Sequence, residues 1–472
     1  MLSDDILYLS VRQLGERIRR RELSPVALAE SYLERSRKLG PQYNAYVTIT
    51  DELALAQARA AQREINAGHY RGPLHGIPYA AKDLVAVKGY PTTWGARPYA
   101  HQVFDYNATV IERLNQAGAV LIGKAAMIEL AGGLGYESAN AALTGPCKNP
   151  WNPQYWTCGS SAGSGAIVAA AMAPWALGSD TRGSIICPSA WCGIAGLRPS
   201  FGRVSRHGAM AIAYTMDKLG PMARTADDCG LILSVIAGHD PQDHDSLPAS
   251  LAAFPYKEMA TAGPWRIGRL TNVWNKTDPG LEQAVEDALK VMERTGATIR
   301  DVQVPDGPYE EAAELTILME AASAFQDLIH SGRCAELDDP MGRINGYASE
   351  QFTAPEYLQV QRVRLQLQGQ IDKLFDEFDV LATAGQSTAA SPLKAPPDDG
   401  TEEPLERRAP DGISSLCGLP AITVPCGFSK EKLPFGIQFI SRALHDQTVI
   451  AAAHRFQIHT DWHQQRPPLP AR

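Results

Sequence analysis

Several kinds of sequence feature are missing from this 472-residue chain. No apolar run approaches the roughly 20 residues that a membrane-spanning helix needs. There is no long Lys/Arg run, and 44 Lys and Arg against 52 Asp and Glu leave a net charge of −8. Nucleic acids and anionic membranes both require a basic footprint, so neither is an expected partner. The one basic cluster, "RIRRRE" at 18–23, reads as the solvated face of a helix. The first ten residues, "MLSDDILYLS", have no basic stretch leading into an apolar one, so a signal peptide is not expected. The eight cysteines form no CxxC pair and have no regular spacing. That predicts reduced, buried thiols in a cytoplasmic protein. The eleven histidines lack ligand spacing too, and "GHDPQDHD" (238–245) reads as a capped surface turn. No metal and no cofactor are expected.

What is present is an ordinary globular composition, 44% hydrophobic and 20% charged. Ser10 with Gln13 can form a capping box, Ser24-Pro25 starts a second helix, and 51–66 reads as a third. Residues 107–135 read as helix, buried strand ("AVLIG", 119–123), then a short helix. "AGSGAIVAAAMAP" (162–174) suits a helix buried on all sides. "WRIGRL" (265–270), "TIRDVQV" (298–304), "AITVPCGF" and "PFGIQFI" read as strands, with a helix over 279–295. Such alternation predicts an α/β layered sheet. At 472 residues the chain is long for one domain, though a single large α/β core is compatible with its length. Residues 392–410, rich in Pro, Asp and Glu, read as a long loop, either a passive connection or a flap.

Two glycine-flanked serine clusters invite a nucleophile. "CGSSAGSG" (158–165) contains a formal G-x-S-x-G centred on Ser161. That elbow needs a strand directly before the serine, and the prolines of "NPWNPQYWT" argue against one. The cluster also lacks the Gly-Lys-Ser/Thr ending of a phosphate-binding loop. The second cluster is "LGSDTRGSIICPSAWCG" (177–193), with Ser184 after Gly183. A serine hydroxyl needs a base, and a buried lysine can serve, since desolvation leaves part of it neutral near pH 7. Lys82 in "YAAKDLVAV" is the candidate; the alternative is a surface ion pair with Asp83.

Three segments in order, "GIPYAAKD" (76–83), "GSSAGSGAIVAAAMAPWALGSDTRGSI" (159–185) and "CGIAGLRPSFGRVSR" (192–206), resemble the amidase signature enzymes. The resemblance runs on through "GAVLIGKAAMIELA", "KNPWN", "GPMART" and "GLPAITVPCGF", and so spans nearly the whole chain. It implies a Ser–Ser–Lys triad on a single α/β domain over 1–472, with a mixed central sheet covered by helices on both faces: a helical part to about 70, a core at about 71–225, a peripheral α/β part at about 226–380, and C-terminal strands and a helix to 472. Lys82 matches the family's base, Ser184 its nucleophile, and Ser160 the bridging serine, which follows a cis peptide in relatives. The backbone N–H groups of Thr181, Arg182, Gly183 and Ser184 match the oxyanion hole, and Ala131-Gly132-Gly133 matches a pocket wall with room for a bulky group. Ser161 and Ser164 read as packing or loop-bonding residues.

The chain departs from the family at two positions. Arg182 replaces a glycine of the nucleophile turn, and Ile186 stands where many members carry arginine. Arg182 either points away to a carboxylate or lines the pocket. The resemblance therefore implies a hydrolase for a small neutral amide, aryl amide or carbamate, working as a monomer or homodimer. Two alternatives are a glutamine-hydrolysing subunit of a tRNA-dependent amidotransferase and a non-catalytic binding protein on the same fold.

Overall fold

The computed structural model describes residues 2–256, 263–273, 277–394 and 410–468. Eleven strands form one mixed sheet: β1 (Tyr46–Ile49), β2 (Pro78–Lys82), β3 (Val120–Ala125), β4 (Trp175–Asp180), β5 (Ala195–Arg198), β6 (Lys218–Ala223), β7 (Arg266–Leu270), β8 (Thr298–Val302), β9 (Val380–Ala384), β10 (Ala421–Phe428) and β11 (Pro434–Ile440). Their spatial order is β1-β3-β2-β4-β6-β5-β10-β11-β9-β7-β8. The fold is thus the expected α/β class with a mixed sheet. β2 runs parallel to both β3 and β4, whereas β4, β6, β5, β10 and β11 pair antiparallel.

Local signals set the helices. The Ser10–Gln13 capping box is formed, and Ser24 accepts the Ala27 N–H ahead of Pro25. Asp278 caps Pro279–Arg294. In the Ala162–Ala169 helix every side is buried, because all eight residues are small or apolar. A Cβ at Gly163 would fall 2.4 Å from the Ala45 carbonyl oxygen, so only glycine lets this helix approach so closely. Tyr79 stacks on Trp175 at 4.8 Å and locks β2 beside β4. Because those strands are parallel, their C-terminal ends, Lys82 and Asp180, emerge at the same edge. In open α/β sheets that edge is where ligands bind.

Two expectations need correction. A short strand, Asn152–Trp156, does precede the Ser161 cluster despite Pro153, but it lies outside the main sheet, pairing with Lys148–Asn149 and bridging to Pro392 through Tyr155. The cysteines are not all reduced: Cys158 and Cys187 are joined by a disulfide, while the other six are free and buried. The spacing of 29 residues gave no hint of this, because the fold, not the sequence, brings the two together. Of the 392–410 loop, residues 395–409 lie outside the described residues. Among the described residues no helix is long and apolar enough to cross a membrane, and no group of three His, Cys, Asp or Glu is placed to hold a metal ion.

Candidate active site

Lys82 is fully buried at the end of β2. Its Nζ lies 2.6 Å from Ser160 Oγ and 2.9 Å from Ser179 Oγ. Burial pushes the Lys82 pKa down to about 7, against the opposing pull of Asp180 and Asp217. The surface ion pair with Asp83 does not form. Asp83 is itself buried, held 2.9 Å from the Lys124 Nζ and accepting the Thr93 N–H. Lys82 therefore has two hydroxyl neighbours and no carboxylate in contact. A neutral amine there can donate to Ser179 while its lone pair accepts from Ser160.

Ser160 follows a cis Gly159–Ser160 peptide bond, and its carbonyl accepts the Ile128 N–H at 3.2 Å. The next N–H, that of Ser161, donates to the Ser184 carbonyl at 3.3 Å, which joins the two serine-bearing segments. Ser161 Oγ donates to the Ser179 carbonyl at 3.1 Å, and Ser164 Oγ to that of Leu177 at 3.1 Å. Those two hydroxyls bond the helix to β4, which is a scaffolding task.

The turn after β4 is organised by Asp180. Its carboxylate is fully buried and accepts the N–H groups of Gly183 and Ile185, each at 2.8 Å. Burial alone would raise its pKa, but Arg198, Lys218 and those two N–H groups together hold it below the usual carboxylate range. This corrects one sequence expectation. The Gly183 N–H is given to Asp180 and is not free for an oxyanion. The N–H groups of Thr181, Arg182 and Ser184 have no hydrogen-bond partner among the described residues. Gly183 alone among these residues has a positive φ, +93°, so arginine at 182 is no strain on the backbone. The Thr181 hydroxyl donates to Asp217 at 2.6 Å, away from the turn.

Arg182 is half exposed and reaches a carboxylate, with its guanidinium 3.5 Å from Glu310. Glu310 packs over Gly412, where a Cβ would fall 1.6 Å from its Oε1. Asp411, one residue earlier, packs against Gly183, 2.7 Å from where that residue's Cβ would be. Burial pushes both carboxyls up to about 7, and Arg182 and Arg198 respectively work against that rise. The room expected at Ala131-Gly132-Gly133 is taken by the protein itself. A Cβ at Gly132 would meet the Tyr136 ring at 2.7 Å, and one at Gly133 would meet Ile212 at 2.7 Å and Phe325 at 3.1 Å. Ile186 likewise lies in the core, clustered with Ala213, Met216 and Ile413.

Sequence reasoning missed Ser179, Asp217 and Asp411. Ser179 carried a signal, since strand alternation puts Leu177 and Ser179 on one face of β4. Asp217 and Asp411 had none, being brought in from distant segments. A small cavity of about 190 Å³ beside Ser179 is lined by Leu84, Met210, Ile212 and Asp217. Two larger hollows, of about 630 and 810 Å³, contain none of Lys82, Ser160 or Ser184.

Comparison with known proteins extends this picture. The profile of the family named Amidase matches residues 27–450. A glutamyl-tRNA(Gln) amidotransferase subunit of Chloroflexus aggregans is 37% identical, covering 98% of this chain and 99% of its own length. The native peptide amidase of Stenotrophomonas maltophilia superposes with a TM-score of 0.83 at 28% identity, covering 98% of both chains. The corresponding glutamyl-tRNA(Gln) amidotransferase subunit of Thermotoga maritima does so with a TM-score of 0.78 at 26% identity, covering 97% of this chain and 96% of that one. These findings correct the expected partners. A lone small-molecule enzyme with no link to nucleic acid, at most a homodimer, does not fit relatives that are named as subunits of an enzyme of glutamyl-tRNA. With the family profile matched over residues 27–450 and relatives aligned over nearly the full length, the chain belongs to the amidase family, whose enzymes act on carbon–nitrogen bonds.

Proposed function

We propose that this chain hydrolyses the side-chain amide of glutamine through an acyl-enzyme on Ser184, as the glutamine-hydrolysing subunit of a tRNA-dependent amidotransferase. The observation that carries the chemistry is the buried Lys82 Nζ, 2.6 Å from Ser160 Oγ with a pKa of about 7. The full-length likeness to glutamyl-tRNA(Gln) amidotransferase subunits supports the substrate and the assembly.

Neutral Lys82 takes the Ser160 proton as Ser160 takes that of Ser184. Ser184 Oγ then bonds to the amide carbon, and the carbonyl oxygen becomes an oxyanion. The N–H groups of Thr181, Arg182 and Ser184 are the donors available to it; such preorganised donors are worth about 3 kcal/mol each. On collapse the C–N bond breaks. Ser160 delivers its proton to the departing nitrogen and regains one from Lys82, so ammonia leaves and the ester on Ser184 remains. Water, deprotonated by the same relay, cleaves that ester and restores the starting state.

A second reading, direct hydrolysis of a neutral amide, aryl amide or carbamate, is favoured by Arg182 and its pairing with Glu310 at the nucleophile turn. One assay separates the two. Ammonia release from glutamine is measured with and without the partner subunits of a bacterial amidotransferase, beside a panel of primary amides, p-nitroanilides and carbamates. Glutamine turnover that rises with the partners supports the first reading. Turnover of the panel with none of glutamine replaces it with the second. In either case Ser184→Ala is expected to remove activity.

A further inference from the structure

The bridging serine and the nucleophile sit on separate segments whose spacing decides whether a proton can pass. Cys158 lies two residues before Ser160, and Cys187 three residues after Ser184. Their disulfide holds the two Cα atoms 6.0 Å apart. The Cys187 N–H donates to the Gly183 carbonyl at 2.8 Å in the first turn of the Ile186–Cys192 helix. Cys158 has a φ of +67°, unusual for a residue with a side chain, so its conformation is one that its surroundings must hold. Side-chain bonds from Ser161 and Ser164 reach β4 upstream of Ser184, but between the Ser160 and Ser184 turns themselves the backbone–backbone link among the described residues is the 3.3 Å hydrogen bond from Ser161 to Ser184.

We propose that the Cys158–Cys187 disulfide is a positioning element of the active site: it sets the approach of the Ser160 hydroxyl to that of Ser184, and thereby the rate at which Ser184 attacks. The proposal rests on the reading of Ser160 as relay and Ser184 as nucleophile. Proton transfer needs hydroxyls within hydrogen-bond reach, and a displacement of about 1 Å can slow a reaction about a hundredfold. A hydrogen bond of 3.3 Å can stretch; a covalent bridge cannot. The sulfurs lie in a small apolar cluster with Ala190, Trp191, Ala390 and Leu433, and the two residues are only 8% and 6% exposed. Attack by a reducing thiolate is correspondingly slow, which lets the bridge persist among thiols.

The test reads the nucleophile without needing the substrate. A fluorophosphonate reacts with an activated serine: the Oγ–P bond forms, fluoride leaves, and the hydroxyl proton passes to the base. The rate kinact and the half-saturation KI are measured on the full-length enzyme as prepared, after a dithiol, and after reoxidation by oxidised glutathione. In the dithiol step two electrons and two protons pass to the sulfurs, giving two thiols and the cyclic disulfide of the reagent, and mass spectrometry verifies the change. Cys158→Ser, Cys187→Ser and the double variant are run alongside, with thermal unfolding as a check.

The expected result is a fall of about tenfold or more in kinact with KI within about threefold, reversed by reoxidation. The double variant is slow and indifferent to the dithiol. The pH at which kinact rises stays near 7, since Lys82 keeps its burial. An unchanged kinact after verified reduction overturns the proposal, as do two thiols that react with an alkylating agent before any reduction. A loss that follows unfolding rather than kinact also overturns it. Labelling that survives in Ser184→Ala removes instead the reading of Ser184 as nucleophile.

Discussion

At Asp180 a buried carboxylate accepts two N–H groups of the turn that carries Ser184, with Arg198 3.5 Å away. Asp180→Asn keeps the shape but removes the charge that Arg198 and Lys218 face. Breaking a buried pair in this way costs about 3–5 kcal/mol. We expect a loss of that order in urea denaturation, with activity lost at temperatures where the variant is still folded; a loss under about 1 kcal/mol would mean the charge is not needed. Lys82 supplies a second test at this scale. With a pKa of about 7, the neutral form grows as pH rises, so kcat/KM is expected to climb to a plateau above that value. Asp217 favours the protonated lysine. Asp217→Asn should therefore move the rise to lower pH, and a rise that stays in place would detach Asp217 from the base.

Among the elements, the strands and helices with strong patterns were legible in the sequence. β10 and β11 match "AITVPCGF" and "PFGIQFI" residue for residue, and the helix after Asp278 starts where its cap predicts. The candidates Lys82, Ser160 and Ser184 came from the resemblance, in which three motifs in order leave little freedom, and the structure joins Lys82 to Ser160 at 2.6 Å. What was not legible depends on approach between distant segments. Examples are Asp411 against Gly183, Tyr136 filling the space beside Gly132, and the bond between Cys158 and Cys187. None of these has a local periodicity or spacing to announce it. Close approach also makes an element-scale prediction. In the Ala162–Ala169 helix, a methyl at Gly163 would meet backbone atoms of Ala45 and Ala126 at 2.4 and 2.5 Å. Overpacking costs about 1–3 kcal/mol, and backbone neighbours cannot swing aside. Gly163→Ala should lower the unfolding midpoint and displace Ser160 with the helix; an unchanged midpoint would show that the helix can shift freely.

For the whole molecule, protons couple the site to stability. Lys82 and Lys218 are both held to about 7, far below an unfolded lysine, by burial. The folded chain thus binds fewer protons than the unfolded one from about pH 7 upward, and stability gains from this between about pH 7 and 10.5. Glu310 and Asp411, raised to about 7, act oppositely. Their folded forms keep protons that the unfolded chain has released, so stability falls between about pH 4.5 and 7. Denaturation midpoints are expected to pass through a minimum near neutral pH, and a monotonic curve across about pH 5 to 9 would count against buried carboxyls and lysines at the site.

The central claim is that Ser184, and neither Ser161 nor any other serine, becomes acylated. The most direct measurement is acid quenching during turnover of a p-nitrophenyl ester or a hydrolysed amide, followed by peptide mass mapping. The acyl mass is expected on Ser184, absent in Ser184→Ala and formed far more slowly in Ser160→Ala. An adduct on Ser161, or full turnover by Ser184→Ala, would contradict it.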